Sequence, residues 1–168
     1  MKRLLWSILA WFIALPPVAD YIIRRAIRTP YTHIDGYMNR YWLLNPYPGD
    51  RGPGAEKLRR YPGWPSARIH HILRRDNDQH PHDHPWDART IILKGWYEEL
   101  RGTGQPGGKL FFRERGDTST LKFNEYHNIT NVSAGGVWTL FITYEYRGTW
   151  GFMVDGVKVP YKTYLKEK

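Results

Sequence analysis

A mainly β, jelly-roll-type barrel carrying an N-terminal helical extension is the architecture this sequence predicts, on three observations. Residues 4–15 form an unbroken apolar run before Pro16-Pro17. From Arg68 onward the chain becomes a series of short stretches rich in β-branched and aromatic residues, separated by glycine, asparagine and aspartate. Between these parts, Asn45 to Ser66 holds five of the twelve prolines, the composition of a long loop. Short strands at regular spacing, without repeats of helical size, belong to sandwiches and barrels. At 168 residues the chain is one fold with room for a core: an extension over 1–28 and a barrel over 35–165.

The first element is a helix over 4–28, kinked where two prolines remove backbone donors and crowd the preceding turn. Thr29-Pro30 ends it, and Tyr37 to Leu44 is an aromatic strand. After the proline-rich loop, strands are expected near 68–75, 88–100, 109–115, 119–123, 127–131, 137–146, 150–154 and 157–160. Gly102 to Gly108 reads as a hairpin loop, and Asp155-Gly156 as a two-residue hairpin turn.

Histidine supplies the chemistry. His82 and His84 flank Asp83 and, on an extended segment, point to one face because side chains alternate with period two. His127, on a distant strand, can complete a three-nitrogen site. Neutral imidazole binds first-row divalent metals at about 2.1 Å for zinc, and three protein ligands leave coordination positions open, as a catalytic centre requires. The competing assignment makes His82 and His84 surface-loop residues beside Pro81 and Pro85. No cysteine is present, so thiolate ligands and disulfides are excluded. A nitrogen and oxygen donor set favours iron, manganese, zinc, nickel or cobalt.

His82, His84 and Gly95 fit H-x-H, three residues, E, six residues, G; His127 and Asn131 fit P-x-G, two residues, H, three residues, N. In this the chain resembles the cupin superfamily over about residues 35–165. Stretches such as Ile69 to Asp76, Trp138 to Thr143 and Trp150-Gly151-Phe152 also look like cupin-like proteins encoded by phages and bacteria. The motif departs from the pattern at Ala88, which stands where the glutamate ligand would be, and at Lys122 and Asn124, which replace the proline and glycine. Asn124 tolerates positive φ, so it can make the same turn. The resemblance implies a cupin barrel with a three-histidine variant of the site, His82, His84 and His127, and iron as the first expectation ahead of manganese, zinc and nickel. No residue is assigned a catalytic role.

Around the motif, His80, His71, Glu98 and Arg89 are the residues expected to support the metal or touch a substrate. His80 shares the phase of His82 and His84. One of His70 and His71 faces inward, and one of Glu98 and Glu99 could stand in for the absent carboxylate. An inward arginine among Arg74, Arg75 and Arg89 would select an anion, because guanidinium binds carboxylate or phosphate in a bidentate fork.

The net charge is +9, with 25 basic and 16 acidic residues. No nucleic-acid motif accompanies it, and the basic residues Arg24, Arg25 and Arg28 adjoin the apolar N-terminal segment. That segment is short for a span, which needs about 20 apolar residues. It reaches that length only by including both prolines and Asp20, and the expectation is membrane association over 1–28, as a span or as a surface helix, with the barrel cytoplasmic. A helix packed on the barrel of a soluble cytoplasmic protein comes second, and a signal peptide cleaved after Ala19 third. Three functional classes follow. They are a small-molecule metalloenzyme, most concretely a three-histidine iron-dependent oxygenase; a non-catalytic ligand-binding barrel; and an accessory protein at a membrane in a phage context. A homodimer is compatible with each. A 2-oxoglutarate oxygenase would need Asp or Glu where this chain has His84.

Overall fold

The computed structural model describes residues 2–47, 59–102 and 108–166. Most of the proline-rich segment and the tip of the loop expected over Gly102 to Gly108 lie outside the described residues.

The apolar N-terminus forms two helices, α1 (Lys2–Ile13) and α2 (Pro16–Ile27), bent by 80°. Leu15 has φ −58° and ψ 133°, the extended conformation imposed on a residue before proline. Pro16 and Pro17 then occupy the first turn of α2, where their missing N–H groups cost nothing. The expected kink is thus a corner between two helices. Their small and branched residues (Ala10, Ala19, Ile23, Ala26) pack on Ala67, Ile69, Ile91, Leu93 and Leu140 of the barrel. Each buried Ile or Leu there contributes about 2 kcal/mol. No single described helix is long and apolar enough to cross a membrane.

The strands are β1 (Pro30–Ile34), β2 (Met38–Leu44), β3 (Ser66–Ile72), β4 (Trp86–Lys94), β5 (Trp96–Arg101), β6 (Lys109–Glu114), β7 (Thr118–Leu121), β8 (His127–Val132), β9 (Val137–Tyr146), β10 (Gly151–Val154) and β11 (Val157–Pro160), followed by the short helix α3 (Tyr161–Tyr164). One antiparallel sheet has the order β1-β2-β3-β9-β4-β7, with the helices on its outer face. Facing it are β6-β5-β8 and the β10-β11 hairpin. His82 joins these two, bridging to His127 on one side and Phe152 on the other. Between the layers Ile72, Ile92, Tyr97, Ile129 and Val137 form the barrel core.

The strand expected over 88–100 is two strands. Gly95, at φ +80°, ends β4 and starts β5, a backbone state that L side chains rarely adopt. Asn124 has φ 63°, the turn conformation expected for it. Asp155 and Gly156 take φ 47° and 81°, the two positive values a type I′ hairpin demands. The edge strand β1 was not expected; it begins at Pro30, where a missing donor is tolerated.

Candidate metal centre

The backbone assembles the centre. His82 N–H donates to His127 O at 3.0 Å, and His127 N–H donates to His82 O at 2.9 Å. This reciprocal pair sets residues 45 positions apart side by side on one sheet face. Asp83 points the other way and is completely buried. Its Oδ1 accepts Gly151 N–H at 2.7 Å and its Oδ2 accepts Lys158 Nζ–H at 2.6 Å. A buried, fully engaged carboxylate between the two histidines anchors the alternation that aims both of them inward.

One nitrogen from each of His82, His84 and His127 lies within 4.8 Å of the others. His84 Nε2 and His127 Nε2 face each other at 3.0 Å. Two nitrogens about 2.1 Å from one ion, at right angles, are separated by that same distance, about 3.0 Å. His127 Nδ1 lies 2.8 Å from Glu99 Oε1. A carboxylate only accepts, so His127 carries its proton on Nδ1 and presents an Nε2 lone pair to the cluster. Burial, with His127 nearby, lowers His82 to about 4 and holds His84 well below its ordinary value. Near neutral pH these two rings are uncharged donors. The residues therefore fit a divalent metal.

Glu99 is 2% exposed and anchors the opposite side. Arg101 Nε lies 3.0 Å from its Oε2, and Arg113 Nε 3.7 Å. Burial alone would raise its carboxyl, but the hydrogen bond from His127 and the charge of Arg101 prevail and hold it at about 2. Asp76 sits beside His82, with Oδ2 at 4.0 Å from Nδ1. It is itself held by the Tyr37 hydroxyl and by Ile129 N–H.

The three histidines open into a cavity of about 330 Å³. The four supporting residues expected from the sequence lie elsewhere. His71 is on the outer face of β3, stacked on Trp138 at 4.0 Å and 2.9 Å from Gly135 O. Its neighbour His70 lines the cavity instead. Glu98 falls on the opposite side of β5 from Glu99. Arg89 faces the helices, its guanidinium 4.3 Å from the Trp6 ring. His80 Nδ1 meets the Tyr164 hydroxyl at 3.0 Å, outside the cavity wall. Among the arginines, Arg74, Arg75 and Arg89 stay outside, whereas Arg68 and Arg40 line the cavity. Ala88 is buried on β4 and offers no ligand, so the cluster is three imidazoles.

Asp83, Glu99, His70 and Arg68 are the residues that sequence reasoning left unassigned or ranked second. On β3 the usual signal is inverted because helices cover its outer side: apolar Ala67 and Ile69 face the helices, while polar Arg68 and His70 line the cavity.

These features define a class: a cupin-fold protein with a cluster of three histidines in its barrel. The fold is similar to that of oxalate decarboxylase. For the Bacillus subtilis enzyme, in a structure concerned with its Mn(II) centres, the TM-score is 0.54 at 7% identity, covering 85% of this chain and 33% of that one. For a second oxalate decarboxylase structure, concerned with substrate binding mode, the values are 0.53 and 11%, covering 77% and 31%. Hydroxypropylphosphonic acid epoxidase from S. wedmorenis aligns at 0.49 and 12%, covering 68% of this chain and 55% of that one. The chain thus spans about half the length of the epoxidase and about a third of the decarboxylase. No family model and no curated protein sequence matches the chain.

Proposed function

We propose that this protein is a metal-dependent cupin enzyme in which His82, His84 and His127 hold a divalent ion beside a small-molecule cavity. The observation that carries this reading is the convergence of three imidazole nitrogens within 4.8 Å at that cavity. The carboxylate on His127 adds support, because such partners orient a ligand ring and raise its basicity. Iron is the first candidate, as for a three-histidine oxygenase, and manganese the second, being the metal of the decarboxylase that shares the fold. An ion held by three protein ligands keeps positions open for substrate and supplies Lewis-acid chemistry or, if iron, redox chemistry. The protein's own part is to hold His82 and His84 neutral, fix the His127 tautomer and enclose the substrate among Tyr97, Phe141, Trp150 and Phe152.

Elemental analysis after anaerobic loading tests this. The wild-type chain is expected to take up about one ion of Fe(II) or Mn(II) per chain. The His82→Ala/His84→Ala double variant, with its fold checked by circular dichroism, is expected to take up almost none. A folded wild-type protein that binds none of iron, manganese, zinc or nickel would sink the reading. Metal uptake without turnover of any screened substrate would favour a metal-stabilised binding barrel.

A second reading concerns the outer surface. Leu4, Leu5, Ile8, Leu9, Trp11 and Phe12 of α1 are exposed, and Arg3, Arg24, Arg25 and Arg28 are exposed on the same helix pair. An apolar face flanked by cations suits an anionic lipid surface. The protein is expected to sediment with phosphatidylserine-containing vesicles and not with pure phosphatidylcholine. Leu5→Gln/Trp11→Gln should abolish the difference, since both side chains project away from the core. If neither vesicle retains the wild type, α1 has another use.

A further inference from the structure

Arg68 is the unusual residue of the interior. It lies on the inner face of β3 and is only 3% exposed. Four aromatic rings surround its guanidinium: Trp86 at 4.9 Å, Trp42 at 5.2 Å, Phe141 at 5.6 Å and Tyr31 at 5.7 Å. Tyr31 offers it a neutral phenol, and no carboxylate is paired with it among the described residues. Its Nε and Nη2 have no hydrogen-bond acceptor. Those two nitrogens are the side-on pair of the guanidinium fork, the pair that matches the two oxygens of a carboxylate.

Two residues along the same face, His70 is buried and stacked on Phe141 at 5.0 Å, and its Nε2 is also without a partner. Arg40 is its direct cross-strand neighbour and also lines the cavity. Two acidic groups also line the cavity, Asp76 and Asp78, and both lie by His82; Asp76 has both oxygens engaged. Burying a guanidinium without a counter-charge is strongly unfavourable, and cation–π contacts offset that penalty without supplying acceptors for its N–H groups. A desolvated guanidinium with two unpartnered nitrogens, in the wall of a cavity of about 330 Å³, is a structure that an anion drawn into that wall completes.

We propose that Arg68, with His70 beside it, is an anion-binding subsite that grips the carboxylate of a small organic acid. It rests on the reading of this cavity as the substrate site and deepens it, because an acid held at Arg68 extends toward His84 and the metal cluster. His84 contacts Phe141, the ring shared with Arg68 and His70, at 5.5 Å. A guanidinium fork meets the paired oxygens of carboxylate and phosphate alike, so the two anions are told apart by direct comparison.

The probe is malonate, titrated by calorimetry into the metal-free full chain, with inorganic phosphate as the comparison anion. Saturable malonate binding is expected, weakened at least tenfold in Arg68→Gln and retained in His82→Ala/His84→Ala. Retention in that double variant separates this subsite from the metal reading, which fails or stands on metal uptake alone. If Arg68→Gln does not fold, the Arg68 Nε–H resonance of the wild type, assigned by its absence from the Arg68→Lys spectrum, is expected to shift on adding malonate. Unchanged malonate affinity in folded Arg68→Gln, no saturable binding to the wild type, or an unshifted Arg68 resonance would overturn the proposal. So would phosphate binding more tightly than malonate, or malonate binding lost only in the double-histidine variant.

Discussion

Replacing Glu99 with glutamine is expected to weaken divalent-metal binding by roughly 10- to 100-fold while leaving all three histidines in place. The carboxylate holds the His127 Nδ1 proton at 2.8 Å and draws Arg101 and Arg113 toward its other oxygen. A glutamine oxygen can still accept from His127, but it carries no charge to polarise the ring or balance the two guanidinium groups. Arg101 keeps Glu125 at 2.9 Å, so the loss of fold stability is moderated to about 2 kcal/mol, below that of an uncompensated buried pair. The pH dependence has a definite sign. The carboxyl sits at about 2 in the folded chain against an ordinary 4.5, so its contribution is fully present above pH 4.5 and is lost as pH falls toward 2. Urea unfolding at pH 5 and pH 3 should show a steeper acid loss in the wild type than in Glu99→Gln. Competition titration reads the metal affinity, and an affinity equal to wild type would remove Glu99 from the centre.

Gly95→Ala is expected to cost about 3 kcal/mol of stability, as left-handed backbone strain of about 1–2 kcal/mol adds to overpacking. A Cβ there would lie 2.5 Å from Ser133 Oγ, 2.8 Å from Gly136 O and 3.3 Å from Val137 Cα. The first two contacts belong to the β8–β9 turn, where Ser133 Oγ–H donates to Gly136 O at 2.8 Å and accepts Trp96 N–H at 3.2 Å. The backbone contacts cannot retreat cheaply, and φ at +80° penalises any L side chain. A lower urea midpoint with an unchanged slope is the expected result. A midpoint within error of the wild type would mean that the turn can rearrange. The motif glycine that follows the paired histidines thus serves the fold: it lets β4 reverse into β5 directly against the turn that follows His127 and Asn131.

The sequence by itself determined the class of architecture and which three histidines come together. Strand-length apolar stretches, the Asp155-Gly156 turn and the spacing from His82 to Gly95 and from His127 to Asn131 are local signals, and local backbone chemistry carries them into the structure. Asn124 and Gly95 show this most directly, each adopting the positive φ that its residue type allows.

The tertiary structure alone decided which neighbours serve the site. His70 rather than His71, and Arg68 rather than Arg74, Arg75 or Arg89, line the cavity, and Glu99 rather than Glu98 meets His127; each choice is a matter of which face of a strand turns inward. Alternation reveals that face only where one side of a sheet meets water. Here α1 and α2 cover the outside of β3 and β4, so both faces are buried and polarity no longer marks which one turns inward. The same packing turned the apolar N-terminus into a cover for the barrel, with Ala10, Ala19, Ile23 and Ala26 inward and Leu4, Leu5, Ile8, Trp11 and Phe12 outward. Burial against a partner distant in sequence, which no local pattern encodes, is the physical reason these assignments waited for the fold.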